Sequence, residues 1–394
     1  HPNYSNRFFT FANRVAEMVS RRHPNKLLGC LAYSYCQEPP SFPLHPNVIP
    51  YVTNDRAQWR DPKFKRRDME HLRAWAKKAR QLGVYDYYYG SGYVIPRVFF
   101  HISAEAIKFC HSIGVTAWYA EIYSNWALDG PKAWLASQLL WDSDQRVDEL
   151  LNDYYRNFFG RAAEPMQAYF ALCERQWMRQ RGAGRWFKGF FDPSQLEMFP
   201  PSICMRLQSL LDRAMKLADS AIVRKRIRLY QRGLRYTTLY STVYHLDKEL
   251  TMMRIRRAKD VHRVLRMLRD FATATAQLQN YEEAIMREPL LRPVIPFRER
   301  ARWSPGGNML TALDTATAKV RRREKLNSII AEVEAIAREL RNTPLARALR
   351  AWALVQRPSS QLKQLVANPS FEERAEGVRE QKGIGWSTEG VPPG

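Results

Sequence analysis

The chain has 394 residues and carries 62 Lys and Arg against 39 Asp and Glu, a formal net charge of +23. That length exceeds one average domain, so two or more are expected, and no apolar run approaches the ~18 residues of a membrane span. The charge invites nucleic acid or another polyanion. However, the basic residues are scattered along helical stretches such as 224–235 and 254–269, interleaved with Leu, Ile and Tyr. With no helix-turn-helix, zinc-finger or RNP signature, solvated basic helix faces are the plainer reading. Nucleic acid is disfavoured as a partner, and polyanion or nucleic-acid binding through that basic helical surface stands third among the functional readings.

In chain order, residues 5–22 space Phe8, Phe9, Ala12, Val15, Ala16 and Val19 at helical period, with Ser5 as N-cap and Pro24 just beyond. Runs at 27–33 and 47–53 have β character, the second weakened by Pro50. Residues 67–81 alternate at helical period and end at Gly83. A strand is expected at 84–89, a helix at 103–112 closed by Gly114, and a strand at 115–122. Strands interleaved with helices and joined by short turns read as a parallel α/β architecture, and four such strands fit half of an eight-stranded barrel. A small doubly wound sheet is the rival, but no Gly-rich phosphate turn supports it.

After Pro131 the pattern becomes helical, at 131–140, 145–158, 162–180 and a long stretch from about Ser202 to Arg287. Arg181 to Gly189 reads as a Gly- and Arg-rich loop. Residues 289–308, with four prolines, read as a linker, and helices follow at 315–341 and 344–357. The expected organisation is therefore a barrel half over 1–130, a helical domain over 131–365, and a polar, Gly-rich tail over 366–394. The five cysteines are odd in number and form no CxxC pair, so neither zinc nor a disulfide framework is suggested. The chain opens at His1 without Met, so it reads as a piece of something longer, and the lack of a leader says nothing of compartment.

The chemistry concentrates between Gly83 and Trp141. In a closed parallel barrel the site lies at the C-terminal ends of the strands, where Asp86 and Glu121 stand among aromatics. Consecutive strands lie ~4.8 Å apart, which permits the carboxyl separations of ~5–9.5 Å that glycosidic pairs use. The plainer alternative has Asp86 bonded to loop backbone or to Arg97, and Glu121 to a hydroxyl or a cation. Tyr33, Tyr35, Tyr87, Tyr88, Tyr89, Tyr93, Trp118, Tyr119, Tyr123 and Trp126 cluster near strand ends, and aromatic faces cover the apolar face of a pyranose ring. The candidate catalytic residues are Glu121 and Asp86. The candidate substrate contacts are Tyr33, Tyr35, Tyr88, Tyr93, Arg97, Tyr123, Asn125 and Trp126. No metal site and no cofactor are implied, and hydrolase-Ser, zincin, Walker and Rossmann motifs are missing from the sequence.

At these residues the chain resembles a known family. Tyr-Asp-Tyr-Tyr-Tyr-Gly-Ser-Gly-Tyr (85–93), Tyr-Ala-Glu (119–121), Trp-Ala-Leu-Asp-Gly-Pro-Lys (126–132), Leu-Leu-Trp-Asp (139–142) and Phe-Phe-Gly-x-Ala-Ala-Glu-Pro-Met (158–166) carry the likeness. So do the opening at 5–16 and Leu-Ala-Tyr-Ser-Tyr-x-x-Glu-Pro-Pro (31–40). Together they are similar to the bacterial domain-of-unknown-function family numbered forty-eight thirty-eight, over about residues 5–180. That family is grouped with TIM-barrel glycoside hydrolases and resembles the α-glucuronidases and β-hexosaminidases. The resemblance implies the C-terminal half of a (β/α)₈ barrel acting on or binding a saccharide, in a secreted or periplasmic protein. It also implies that the general acid comes from a strand upstream of His1, so that binding without catalysis is the alternative. The tail, Asn368-Pro-Ser-Phe-Glu with Gly385-Trp386, looks like the truncated start of a jelly-roll carbohydrate-binding module.

Overall fold

The structure, a computed structural model, describes residues 3–357 apart from Tyr89, Ser91, Ser124, 257–259, 302–306, Arg321 and 341–342. The tail assigned to a carbohydrate-binding module lies outside the described residues. Within them the chain divides into two compact units, one of residues 1–248 with 274–305 and one of residues 249–273 with those from 307 onward.

The first unit is built on four parallel strands, β1 (Leu28–Ala32), β2 (Val48–Thr53), β3 (Leu82–Tyr87) and β4 (Val115–Glu121), in the spatial order of the sequence. Helix α1 (Ser5–Arg22) precedes β1, α2 (Pro62–Ala76) joins β2 to β3, and α3 (Phe100–Ser112) joins β3 to β4. This is mixed α/β architecture with a parallel sheet, as the sequence pattern implies. Helix α2 begins five residues earlier than its apolar period suggests. The reason is local: Asp61 accepts from the Lys63 N–H and Pro62 occupies the first turn, where its missing N–H has no intrahelical partner to lose.

One sheet face is sealed. Ala32, Val52 and Val84 are buried there, as are Phe9 of α1, Trp75 of α2 and Ile107 of α3. The other face is flat and partly open. Leu31 pairs with Tyr51, Tyr51 with Gly83, and Gly83 with Ala117. A Cβ on Gly83 would stand 2.7 Å from the Tyr51 ring, so glycine there lets the ring lie across the sheet.

Beyond β4 the first unit is helical: α4 (Trp126–Asp129), α5 (Lys132–Trp141), α6 (Val147–Phe159), α7 (Ala163–Met178), α8 (Pro201–Leu217) and most of α9 (Ala221–Met252). The second unit takes the N-terminal half of α10 (Val261–Ile285). Beyond the short α11 (Phe297–Arg300) of the first unit, it also takes α12 (Gly307–Thr317), α13 (Arg323–Glu339) and α14 (Pro344–Val355). The stretch expected as one long helix from 202 is three helices, interrupted near 218–220 and from 253 to 256. Among the described residues no helix is long and apolar enough to cross a membrane.

Candidate functional site

The carboxyl ends of the four strands converge on one edge of the sheet. Tyr85 and Tyr87 of β3 pair in register with Tyr119 and Glu121 of β4. Strand alternation therefore places all four on the open face. The Tyr85 hydroxyl donates to the Glu121 carboxylate, and the Tyr85 and Tyr119 rings lie 4.6 Å apart. Burial and the Glu121 hydrogen bond push the Tyr85 phenol well up, so it stays a donor across the ordinary pH range. The Tyr123 phenol is raised chiefly by the Glu121 charge, and that of Tyr33 by burial with Glu121 adding. Glu121 is thus ringed by phenols from three chain segments.

The wall continues through a loop the sequence marks only as Gly- and Arg-rich. Trp186 stands 5.6 Å from the Tyr33 ring and 5.8 Å from that of Tyr87, and Phe187 packs 4.5 Å from Tyr87. Phe187 has φ +48, a left-handed conformation that costs a bulky residue about 1–3 kcal/mol. Its N–H is held by Asp55 Oδ2 at 3.2 Å. Gln195 fastens the same loop, accepting from the Val94 N–H and donating to the Gly92 and Gly189 carbonyls.

The sequence-derived site residues separate into two groups. Glu121, Tyr33, Tyr123 and Trp126 are at least partly exposed at the strand ends, and the Glu121 charge raises the Tyr33 and Tyr123 phenols. Tyr35 is also exposed but turns to Tyr4, with ring centroids 5.8 Å apart. The others are interior. Asp86 pairs in register with Ala120, so it faces away from Glu121 into the helix-covered side. It is 1 % exposed and accepts the Arg56 and Tyr87 N–H groups. Burial pushes its carboxyl up to about 6, against the pull of Arg56. The strand pairing that permits an Asp86–Glu121 couple by spacing thus separates the two carboxylates by face.

Arg97 pairs with Asp55 at 2.6 Å, not with Asp86, and donates to the Tyr87 carbonyl. Its guanidinium stacks 5.0 Å from the Tyr93 ring, and both side chains are buried. Tyr88 is equally buried, against Phe99. Asn125 donates to the Gly90 carbonyl at 3.2 Å, while Asp129 accepts the Gly90 N–H and pairs with buried Lys132 at 3.0 Å. These residues are buried and pin the loop after β3. Tyr89 lies outside the described residues.

Sequence reasoning passed over Asp55, Arg56 and Trp186. Asp55 and Arg56 follow β2 just as Asp86 and Glu121 close β3 and β4. The five cysteines are free thiols, and burial pushes Cys110 up to about 12 and Cys204 to about 11. Among the described residues no three of His, Cys, Asp or Glu cluster as metal ligands would.

Residues 2–171 match the family described as "Domain of unknown function (DUF4838)". No curated protein and no solved structure matches the chain.

Proposed function

We propose that this chain, whose residues 2–171 belong to that domain-of-unknown-function family, binds a saccharide on the tyrosine-lined face of its sheet, as a glycoside-hydrolase-like barrel wall does. The observation that carries the reading is Glu121, a carboxylate at the carboxyl end of β4, hydrogen-bonded by Tyr85 and bordered by Tyr33, Tyr119 and Tyr123. Such a carboxylate accepts from sugar hydroxyls while flat rings cover the apolar C–H face. The sequential, all-parallel strand order supports the (β/α)₈ reading, since consecutive barrel strands are neighbours and place their ligands at this edge.

Recognition is the better supported half of the proposal. Glycosidic cleavage by acid and base or nucleophile needs two carboxyl groups flanking one bond. Here Asp86 is on the opposite face from Glu121, and Asp55 is buried beneath Phe187. Glu121 is therefore assigned the role of a polar anchor for sugar hydroxyls.

The test is calorimetry against a panel of neutral oligosaccharides, paired with an assay for released reducing ends. We expect saturable binding of at least one glycan, weakened about tenfold by Glu121→Gln and by Tyr85→Phe, that is, by about 1.4 kcal/mol. Binding that ignores both substitutions, or no binding across the panel, overturns the proposal.

A further inference from the structure

The loop that carries Trp186 also borders a second concavity, of about 440 Å³, at the C-terminal end of α7. Five cationic side chains line it, Arg179, Arg181, Arg185, Lys188 and Lys248, against two carboxylates, Asp192 and Glu197. Both carboxylates are already engaged. Glu197 takes Lys248 at 2.5 Å and the Tyr244 hydroxyl at 3.0 Å. Asp192 caps the Ser194 N–H at 2.9 Å and meets Arg185 loosely at 3.7 Å.

A helix C-terminus carries about −0.5 of an elementary charge and would itself hold cations. Other cations already serve the loop carbonyls just past the end of α7. Arg60 donates to the Gln180 and Gly182 carbonyls, and the Lys188 ammonium to those of residues 181–183. Arg179 and Arg181 are left over, with no ion pair among the described residues. The surplus is felt locally, since Lys188 is held below the usual ammonium range by burial and by the neighbouring Arg60 and Arg185.

A second observation points the same way. Gln176 lines the concavity, is 6 % exposed, and has its Nε2 buried with no hydrogen-bond partner. The Nε2 of Gln180, one turn on, is likewise without one. A buried amide donor left unpaired costs about 1–3 kcal/mol, and an acceptor arriving in the concavity would remove that cost.

We propose that this pocket binds an oxyanion, held by the Arg179, Arg181 and Arg185 guanidinium forks with the Gln176 and Gln180 amides as neutral donors. Guanidinium groups present paired N–H donors that match sulfate, phosphate and carboxylate oxygens. The oxyanion is a free ion or the charged group of an acidic saccharide. The site stands independently of the tyrosine face.

The experiment titrates the full chain with sodium sulfate by calorimetry, at ionic strength held constant with sodium chloride. We expect saturable one-to-one binding, weakened at least tenfold in R179A/R181A and unchanged in R21A/R22A, which removes two exposed charges from the last turn of α1. R185A, a single change at an exposed position, carries the same expectation should the double variant fold poorly. Displacement of sulfate by a sulfated monosaccharide but not by its neutral parent assigns the oxyanion to a saccharide. Displacement by inorganic phosphate alone assigns it to a free ion. Non-saturable heats, equal weakening in R21A/R22A, or sulfate affinity that survives R179A/R181A and R185A overturns the site.

Discussion

Asp55 and Asp86, two buried carboxylates near the strand ends, differ in what each would leave behind on losing its charge. Asp55 is the counter-charge of Arg97, which is itself buried. Removing one member of a buried pair strands the other, at about 3–5 kcal/mol. Asp86 lies by Arg56, but Arg56 keeps its pair with Asp68 at 3.1 Å. Both N–H groups that Asp86 accepts go to the one oxygen Oδ1, which an asparagine carbonyl retains. At pH 7, Asp55→Asn is therefore expected to lower unfolding free energy by about 3 kcal/mol or more, and Asp86→Asn by no more than about 1, measured by urea denaturation. Asp86 adds a pH signature. Its folded value, about 6, lies above the ordinary 3.8, so the native state binds a proton that the unfolded chain has released. Stability from this group is present below pH 4 and lost as pH rises towards 6, and Asp86→Asn should lack that segment. Equal losses in the two variants at pH 7 would contradict this assignment.

Among the helices, one exposed side chain ties three together. His101 opens α3, its backbone N–H donating to Glu174 of α7 at 2.9 Å and its ring meeting Glu174 at 2.8 Å and Asp148 of α6 at 3.2 Å. These carboxylates raise its pKa from 6.5 to about 9, the Glu174 hydrogen bond contributing most. The folded value exceeds the unfolded one, so the stabilisation is complete below pH 6.5 and is lost as pH rises through 9. The ring is half exposed, so solvent screens part of it. His101→Gln should flatten the melting temperature between pH 6.5 and 9, and an unchanged slope would refute the linkage. The sequence places His101 beside a helix but not its partners, which lie 47 and 73 residues away. Period and turn residues locate the sheet, its strands and most helices to within a few residues. Strand alternation is legible as well, but register is not: the irregularity at Leu82/Gly83 shifts β4 by one residue against β3, and that shift puts Asp86 and Glu121 on opposite faces. What spacing could not reveal is that Trp186, more than 60 residues beyond β4, closes the strand ends. Nor could it show that Arg97 belongs to Asp55, because both are loop-to-loop contacts without period.

The net charge of +23 is distributed through the fold in a way composition does not show. On α9, Arg226 donates to the Phe158 carbonyl at 2.7 Å, Arg224 to that of Ala218 at 2.9 Å, and Arg232 pairs with Glu288 at 3.1 Å. Part of the basic helical surface thus serves the structure, and the concavity at the end of α7 is one place where cations outnumber carboxylates. The two compact units also have separate cores. In the first, Leu207 and Leu211 of α8 are fully buried; in the second, Val333 of α13 and Leu349 of α14 are. Trp352 in α14 further donates to Asp314 of α12 at 2.5 Å. A chain with two cores need not unfold in one step. Scanning calorimetry is expected to resolve two transitions. Leu349→Ala removes buried methyl groups worth about 2–5 kcal/mol from the smaller unit, where each kcal/mol moves the midpoint by about 4–8 °C. It should shift one transition and leave the other in place, while Leu207→Ala should do the reverse with a smaller displacement, because the same loss is spread over a larger unfolding entropy. A single transition lowered by both substitutions would mean that the helices α9 and α10, which run through both units, couple the two cores into one cooperative structure.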